Sequence, residues 1–167
     1  MSKAFTKEDS APDEVLVAHR PPLPAGVPNY VTPRGLELLR AERQALESAR
    51  AALRSVTGPQ EVAPDALARL TALAARLAEL EQRLASAQCI EPSAGSAVRF
   101  GSSVTLLDAA GREQRYQIVG VDEADPEQGK VAFLSPLAKA LLGAQVGDSV
   151  RLEKPGGTEE LEVLALD

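Results

Sequence analysis

The feature that most constrains the fold is a pair of leucine-rich segments in which apolar residues recur at alternating spacings of three and four. In the second segment the repeat consists of Leu70, Leu73, Leu77, Leu80, Leu84 and Ala87. In the first it consists of Leu39, Glu42, Leu46, Ala49, Leu53 and Val56, with Glu42 as a polar interruption. Such spacing gives each helix one apolar stripe, which is typical of helices that pair along their length. The sequence therefore predicts two paired helices.

The signals at the ends of these segments set the helix boundaries. Thr32 precedes Pro33, and a hydroxyl N-cap followed by proline is a common helix start. Gly58 and Pro59 end the first helix, since proline cannot continue the hydrogen-bond ladder. Pro64 and Asp65 open the second helix. We expect helices at about 33–56 and 64–88, forming an antiparallel coiled-coil hairpin within residues 30–91.

A turn-rich segment, 92–96, marks a boundary beyond which the apolar period changes from that of a helix to that of a strand. Strands are predicted around Val98 to Leu106 and around Tyr116 to Val119, joined by a turn at residues 108–111. Further strands are predicted at 130–133, 149–152 and 160–164, with a short helix from Pro136 to Leu142. The predicted fold class is α+β, with residues 92–167 forming a mainly antiparallel sheet domain with one short helix.

Residues 1–29 mix charges with four closely spaced prolines and show no helix or strand period. Such a composition does not bury enough apolar surface to offset the entropy lost on ordering, so we expect a flexible leader. The segment has no signal-peptide pattern, and nowhere do 18 apolar residues run together. The sequence predicts a cytoplasmic protein without a membrane partner, and we expect a monomer.

Charge and composition narrow the function classes. A net charge of −6 and a pI near 4.9 argue against a protein that holds nucleic acid through a basic face, so we expect a protein partner and no sequence-specific nucleic acid binding. One cysteine and one histidine provide neither a disulfide nor a zinc site. We expect no cofactor, Cys89 as a small buried residue, and the acidic run 122–127 as a solvated loop.

Several segments in this order resemble the Gre family of bacterial transcription elongation factors over residues 30–167. They are Tyr30-Val-Thr-Pro-Arg-Gly35, Ser86-Ala-Gln-Cys-Ile90, Val98-Arg-Phe-Gly-Ser-Ser-Val104, Ile118-Val-Gly-Val-Asp-Glu-Ala-Asp125, Ser135-Pro-Leu-Ala-Lys-Ala-Leu-Leu-Gly143, Val146-Gly-Asp148 and Pro155-Gly-Gly157. The resemblance implies an FKBP-like C-terminal domain that binds RNA polymerase at the rim of its secondary channel, and a coiled coil that enters the channel. It also implies that Leu134, Ser135 and Pro136 lie in the surface that meets the polymerase.

In that family, acidic residues at the hairpin tip help hold a magnesium ion with which the polymerase cleaves its own RNA. The tip motif Asp-x-x-Glu-Asn is replaced here by Gly58-Pro-Gln-Glu-Val-Ala-Pro-Asp65, which leaves Glu61 and Asp65 as candidate carboxylates for a shared magnesium ion. The hairpin is also shorter than the family's by about ten residues, which removes ~7 Å of reach. We therefore expect an accessory factor with no catalytic residues of its own, no stably bound metal, and weak or no stimulation of cleavage.

Three alternatives stay open. An active cleavage factor would use Glu61 and Asp65. A prolyl isomerase would need convergent aromatic side chains, for which Phe100, Tyr116 and Phe133 are available. A coiled-coil adaptor would pair its helices with another helical protein.

Overall fold

The computed structural model describes residues 20–56 and 63–167, and its most extended feature is a pair of long helices. Helix α1 spans Pro33–Val56 and helix α2 spans Pro64–Ser86. Their packed side chains come from the two predicted stripes, with Leu39 and Leu46 of α1 meeting Leu77 and Leu80 of α2. The predicted helical hairpin is confirmed. Within the described residues, no helix is long and apolar enough to span a bilayer.

Helix α1 begins as its sequence predicts. The Thr32 hydroxyl oxygen accepts a hydrogen bond from the backbone N–H of Gly35, at 2.9 Å. Pro33 occupies the first helical position, where its missing N–H leaves no hydrogen bond unmade. Thr32 is therefore the N-cap.

Helix α2 ends at Ser86, two residues before the predicted end at residue 88, because the chain there turns into a strand. Strand β2, Ala87–Cys89, pairs in parallel with β1, Asn29–Val31. The ladder continues through the N–H of Ile90, which donates to the Val31 carbonyl at 2.9 Å. Periodicity missed this small sheet, because three-residue strands are too short to show a period.

The expectation for the end of the leader is corrected for its described part. Residues 1–19 lie outside the described residues, but residues 20–29 contact both the hairpin and the sheet domain. Asn29 is buried, and its side-chain amide donates to the carbonyl of Arg83 at 2.8 Å. The segment is held in part by polar contacts with residues far away in the sequence. The expectation of flexibility was based on its few apolar residues, which do not reveal such contacts.

The second part of the molecule is a five-stranded sheet with the order β5-β4-β3-β7-β6. Its strands are β3 Ser103–Asp108, β4 Glu113–Val119, β5 Lys130–Ala132, β6 Ser149–Lys154 and β7 Gly157–Leu166. Three of the four pairings are antiparallel, and β4 with β5 is parallel. A short helix, α3, spans Pro136–Leu141. The predicted fold class, a helical hairpin plus a mainly antiparallel sheet domain with one short helix, is confirmed.

The first strand of this sheet starts later than expected. Val98 and Phe100 precede β3, and between them and the strand the chain turns at Gly101, whose φ of +86° is one that glycine adopts without strain. Val98 is nonetheless buried. It belongs to the sheet-domain core, together with Val104, Leu106, Ile118, Phe133, Ala138, Leu141, Val150, Leu152, Leu161 and Val163. Side chains that alternate along β3 point into this core, as a half-buried strand requires.

Candidate functional sites

The hairpin tip presents one described carboxylate. Asp65 lies in the first turn of α2, after Pro64, and is exposed. An acidic side chain at this position interacts favourably with the positive end of the helix dipole. Glu61, the other predicted tip carboxylate, lies outside the described residues. The structure therefore places Asp65 but does not show the two candidates together.

The apolar seam between the helices is buried near the sheet domain and more open towards the tip. Leu80 is fully buried and Leu70 is half-buried, whereas Val56 is 80% exposed, and Leu67, which lies beside the seam on α2, is 56% exposed. Ala49, predicted in the seam, is exposed as well. The sequence repeat continues to the end of α1, but the packing does not follow it that far. The distal half of the hairpin thus carries apolar surface open to solvent.

The described residues contain no group of three or more His, Cys, Asp or Glu side chains placed to hold a metal ion. Hard cations such as magnesium take several oxygen ligands, and one exposed carboxylate does not supply them. Asp65 by itself therefore does not fit a resident magnesium site.

The predicted docking residues lie at the start of α3. The Ser135 hydroxyl oxygen accepts a hydrogen bond from the N–H of Ala138 at 3.2 Å, so Ser135 is the N-cap of α3. Pro136 occupies the first helical position and is exposed, while Leu134 is half-buried and packs against the sheet core. Ala138 and Leu141 anchor the helix in that core. Of the three predicted docking residues, Pro136 is the exposed one.

The acidic run 122–127 is not the solvated loop that was expected, because Glu123 is buried and the side chain of Asp122 is only 10% exposed at the joint between the hairpin and the sheet domain. Glu123 accepts a hydrogen bond from the Thr32 hydroxyl, and its other oxygen lies 3.5 Å from Nζ of Lys130. Oδ1 of Asp122 accepts a hydrogen bond from Nε of Arg20 at 2.7 Å, and Oδ2 of Asp122 lies 3.4 Å from Nε of Arg83. Buried carboxylates need such partners. Only the later part of the run faces solvent.

Backbone packing at this joint is close. A Cβ added at Gly120 would lie 2.6 Å from the backbone oxygen of Tyr30. A Cβ added at Gly35 would lie 2.7 Å from Oε2 of Glu123. Real Cβ atoms do not approach other atoms so closely, so the backbone contact at Gly120 requires glycine, while a side chain at Gly35 would displace the carboxylate of Glu123. The Tyr30-Val-Thr-Pro-Arg-Gly35 segment and the Ile118–Asp125 segment, which the sequence analysis singled out separately, are the two sides of one joint.

The segment before β1 also belongs to the joint. Arg20 Nη2 donates to Oε2 of Glu42 at 2.8 Å, and the other oxygen of Glu42 accepts from Arg76 at 3.2 Å. Burial by itself lowers the pKa of Arg20, but the hydrogen bond to Glu42 and the charge of Asp122 outweigh it, so that the pKa of Arg20 is raised above its ordinary value. Glu42, the polar interruption of the first seam, is thus an ion-pair partner.

The aromatic side chains do not form the binding pocket that a prolyl isomerase would need. Tyr30, Phe100 and Phe133 pack as a trio with ring centroids 5.6 to 5.7 Å apart. Tyr116, predicted with Phe100 and Phe133, stands outside the trio, and its hydroxyl donates to Gln114. The rings pack against one another and against the sheet core. Cys89, expected to be buried, is a free and exposed thiol on the short β2 strand.

A family model described as transcription elongation factor GreA/GreB, C-terminal, matches residues 92–167. Transcription elongation factor GreA of Rhodospirillum rubrum is 37% identical over 146 residues, an alignment that covers 80% of this chain and 93% of the relative. GreA of Sinorhizobium medicae is 45% identical over 94 residues, which cover 54% of this chain and 60% of the relative. In this second alignment the chain spans about 60% of the relative's length.

Among solved structures, GreA factor homolog 1 of Thermus thermophilus is 27% identical and aligns over 84% of this chain and 99% of that chain, with a TM-score of 0.40. The GreA/GreB factor of Nitrosomonas europaea is 20% identical over 82% of this chain and 97% of that chain, with the same TM-score of 0.40.

Proposed function

Because the chain belongs to the GreA/GreB family of transcription elongation factors, we propose that it binds RNA polymerase at the rim of the secondary channel and modulates elongation, with weak or no stimulation of transcript cleavage. The observation that carries the proposal is the length of the family likeness, which extends beyond the sheet domain into the hairpin. In this proposal the protein acts as a cytoplasmic monomer, and the chemistry of any cleavage remains the polymerase's own.

In this proposal the sheet domain and the hairpin have different roles, which follow from their structures. The start of α3 is fixed by the Ser135 cap and by the buried Ala138 and Leu141, so it offers a preformed surface with Pro136 outermost. Preformed surfaces lose little conformational entropy on binding. The hairpin supplies a long, narrow extension suited to a channel. We therefore assign docking to Leu134, Ser135 and Pro136, and channel occupation to the hairpin.

Weak cleavage is proposed from the chemistry of the tip. Asp65 is a single exposed carboxylate whose place in the first turn of α2 is explained by the helix dipole. Glu61 is the one other carboxylate in the sequence between Gly58 and Asp65, and the spacing of the two departs from the family motif. A tip with so few oxygen ligands is poorly suited to hold a second magnesium ion.

The proposal is tested with stalled, backtracked elongation complexes incubated with the protein and Mg²⁺. We expect polymerase to be retained stoichiometrically by the tagged protein, and release of short 3′ RNA fragments to stay at the level of polymerase alone. Failure to retain polymerase overturns the proposed function. Fragment release well above that level, abolished in Glu61→Ala and Asp65→Ala variants, overturns weak cleavage and supports the alternative of an active cleavage factor.

A coiled-coil adaptor is the second candidate, favoured by the exposed apolar side chains of Leu67 and Val56 on the distal hairpin. Such a surface suits pairing with a helix of another protein. Co-purification from cells distinguishes the two, because stoichiometric recovery of a different helical protein without polymerase supports the adaptor. The packed aromatic trio argues against the prolyl isomerase alternative.

A further inference from the structure

The polar contacts of residues 20–23 are concentrated on the two parts of the molecule that meet at the joint. Arg20 reaches α1 through Glu42 and the loop after β4 through Asp122. The next residue, Pro21, offers its carbonyl oxygen to Nη2 of Arg83 on α2. Two successive residues thus contact both helices of the hairpin and the sheet domain.

These contacts are sheltered from solvent. The side chains of Arg20 and Asp122 are 18% and 10% exposed, and that of Arg83 is 6% exposed. Ion pairs in such surroundings are screened by salt much less than exposed pairs. The planar guanidinium of Arg20 presents Nε to one carboxylate and Nη2 to another, a two-sided contact that a lysine ammonium does not reproduce. Arg20 therefore fixes the relative positions of Glu42 and Asp122.

The remaining connections between the parts are short. The hairpin joins the sheet domain through the chain after Ile90. The contacts between them that do not involve residues 20–23 are the ion pair of Arg83 with Asp122, near the end of α2, and the close contacts at Tyr30, Thr32 and Gly120. All of these lie near one end of the hairpin. The contact of Arg20 with Glu42 lies further along α1. It therefore resists tilting of the hairpin about that end better than contacts at the end itself.

We propose that residues 20–23 form a brace that fixes the direction of the hairpin relative to the sheet domain, with Arg20 as its central residue. The polar residue in the α1 seam, Glu42, is the attachment point of this brace on the hairpin, and Asp122 is its attachment point on the sheet domain. A groove of about 390 Å³ lies beside this contact, lined by Arg20, Pro22 and Leu23 of the brace and by residues of α2 that include Arg83. The brace therefore holds the hairpin through polar contacts, which single substitutions remove without opening either apolar core.

The test measures the direction of the hairpin in the full chain, without polymerase, so its outcome is independent of the proposed function. Cys89 is replaced by serine, and spin labels are attached at Ser48→Cys on α1 and Thr158→Cys on β7, both exposed positions. Pulsed electron paramagnetic resonance then gives the distribution of distances between the labels. In the parent chain we expect one narrow distribution.

Arg20→Ala is expected to broaden this distribution and shift its centre by several ångströms, with far-UV circular dichroism unchanged. Arg20→Lys is expected to lie between the parent and Arg20→Ala, since one ammonium cannot hold both carboxylates in the same geometry. Arg34→Ala, which removes an exposed pair with Glu37, is the matched control and should leave the distribution unchanged. If Arg20→Ala and Glu42→Gln both retain the parent distribution, the brace is overturned. If Arg20→Ala does not fold, Arg20→Gln, a milder change, replaces it. The brace is then overturned if Arg20→Gln and Glu42→Gln both retain the parent distribution.

Discussion

The hydroxyl of Thr32, at the start of α1, donates a hydrogen bond to the carboxylate of Glu123, which is 91 residues away in the chain. Both residues are buried, and the same hydroxyl oxygen accepts from the N–H of Gly35. One side chain therefore caps the helix and connects it to the sheet domain. A buried carboxylate that loses a donor retains its full cost of desolvation.

Thr32→Val is expected to lower the free energy of unfolding by about 1–3 kcal/mol, because it removes the cap and leaves Glu123 with one donor fewer at nearly constant volume. Thr71→Val is the matched control. The Thr71 hydroxyl donates to the carbonyl of Leu67 on an exposed helix face, so the free energy of unfolding should change by no more than about 0.5 kcal/mol. Urea unfolding followed by circular dichroism measures both, and equal effects would show that neither the cap nor the Glu123 contact contributes to stability.

Two leucines of α2, one in the seam and one beside it, are expected to differ in their contribution to stability. Leu80→Ala removes a fully buried side chain and should cost about 2–5 kcal/mol. Leu67→Ala, on the same helix but more than half exposed, should change stability by no more than about 0.5 kcal/mol. Thermal and urea unfolding of the two variants provide the comparison. A large loss for Leu67→Ala would mean that this side chain is covered in solution.

Asp108, at the end of β3, organises the turn into β4. Its Oδ1 accepts from the N–H of Ala110 and of Arg112, both at 2.9 Å, and its Oδ2 accepts from Nε of Arg112 at 2.8 Å. The backbone N–H of Arg112 is the main cause that lowers the pKa of Asp108, and it outweighs the opposing effect of burial. The ionised carboxylate of Asp108 is therefore stabilised more in the folded state than in the unfolded state.

This lowered pKa predicts a pH dependence of stability. The unfolded chain has an aspartate pKa near about 3.9, so the contribution of Asp108 is fully present above that value and is lost as the pH falls through the lower folded pKa. Asp108→Asn should be less stable than the parent at neutral pH, with a difference that narrows in acid. Arg112→Ala should retain most of the pH dependence, because the backbone donors remain. Urea titrations across the acidic range test this, and a difference that grows in acid would contradict the assignment.

Local patterns in the sequence were sufficient to predict the two long helices, the cap at Thr32, and the approximate positions of the strands in the large sheet. The leucine spacing placed α1 at its observed bounds, and both Thr32 and Ser135 precede a proline at the first position of a helix. The turn at 108–111 and the last strand pair, β6 with β7, also follow from local residues. These features depend on neighbours within a few positions, which a sequence shows directly.

The joint could not be predicted, because its partners are far apart along the chain. Arg20 and Asp122 are 102 positions apart, and nothing in the acidic run 122–127 distinguishes the two buried carboxylates from the solvated ones. Burial of Cys89 was a wrong expectation for a related reason, since β2 exists only through its pairing with β1. The roles of Asp65, Leu134, Ser135 and Pro136 in binding stay predictions.

Ser135 has two roles to separate, one as the cap of α3 and one as a proposed contact with polymerase. Ser135→Ala removes the cap and should cost about 0.5–2 kcal/mol of stability. Ser135→Asp keeps a good N-cap, so its stability should stay close to that of the parent, while the new carboxylate alters the surface beside Pro136. If Ser135 contacts polymerase, the Asp variant should bind polymerase more weakly although it is stably folded. Unfolding by urea and retention of polymerase by the tagged protein give the two readouts. Undiminished retention by the Asp variant would limit Ser135 to its capping role and leave Pro136 as the member of the element to test next.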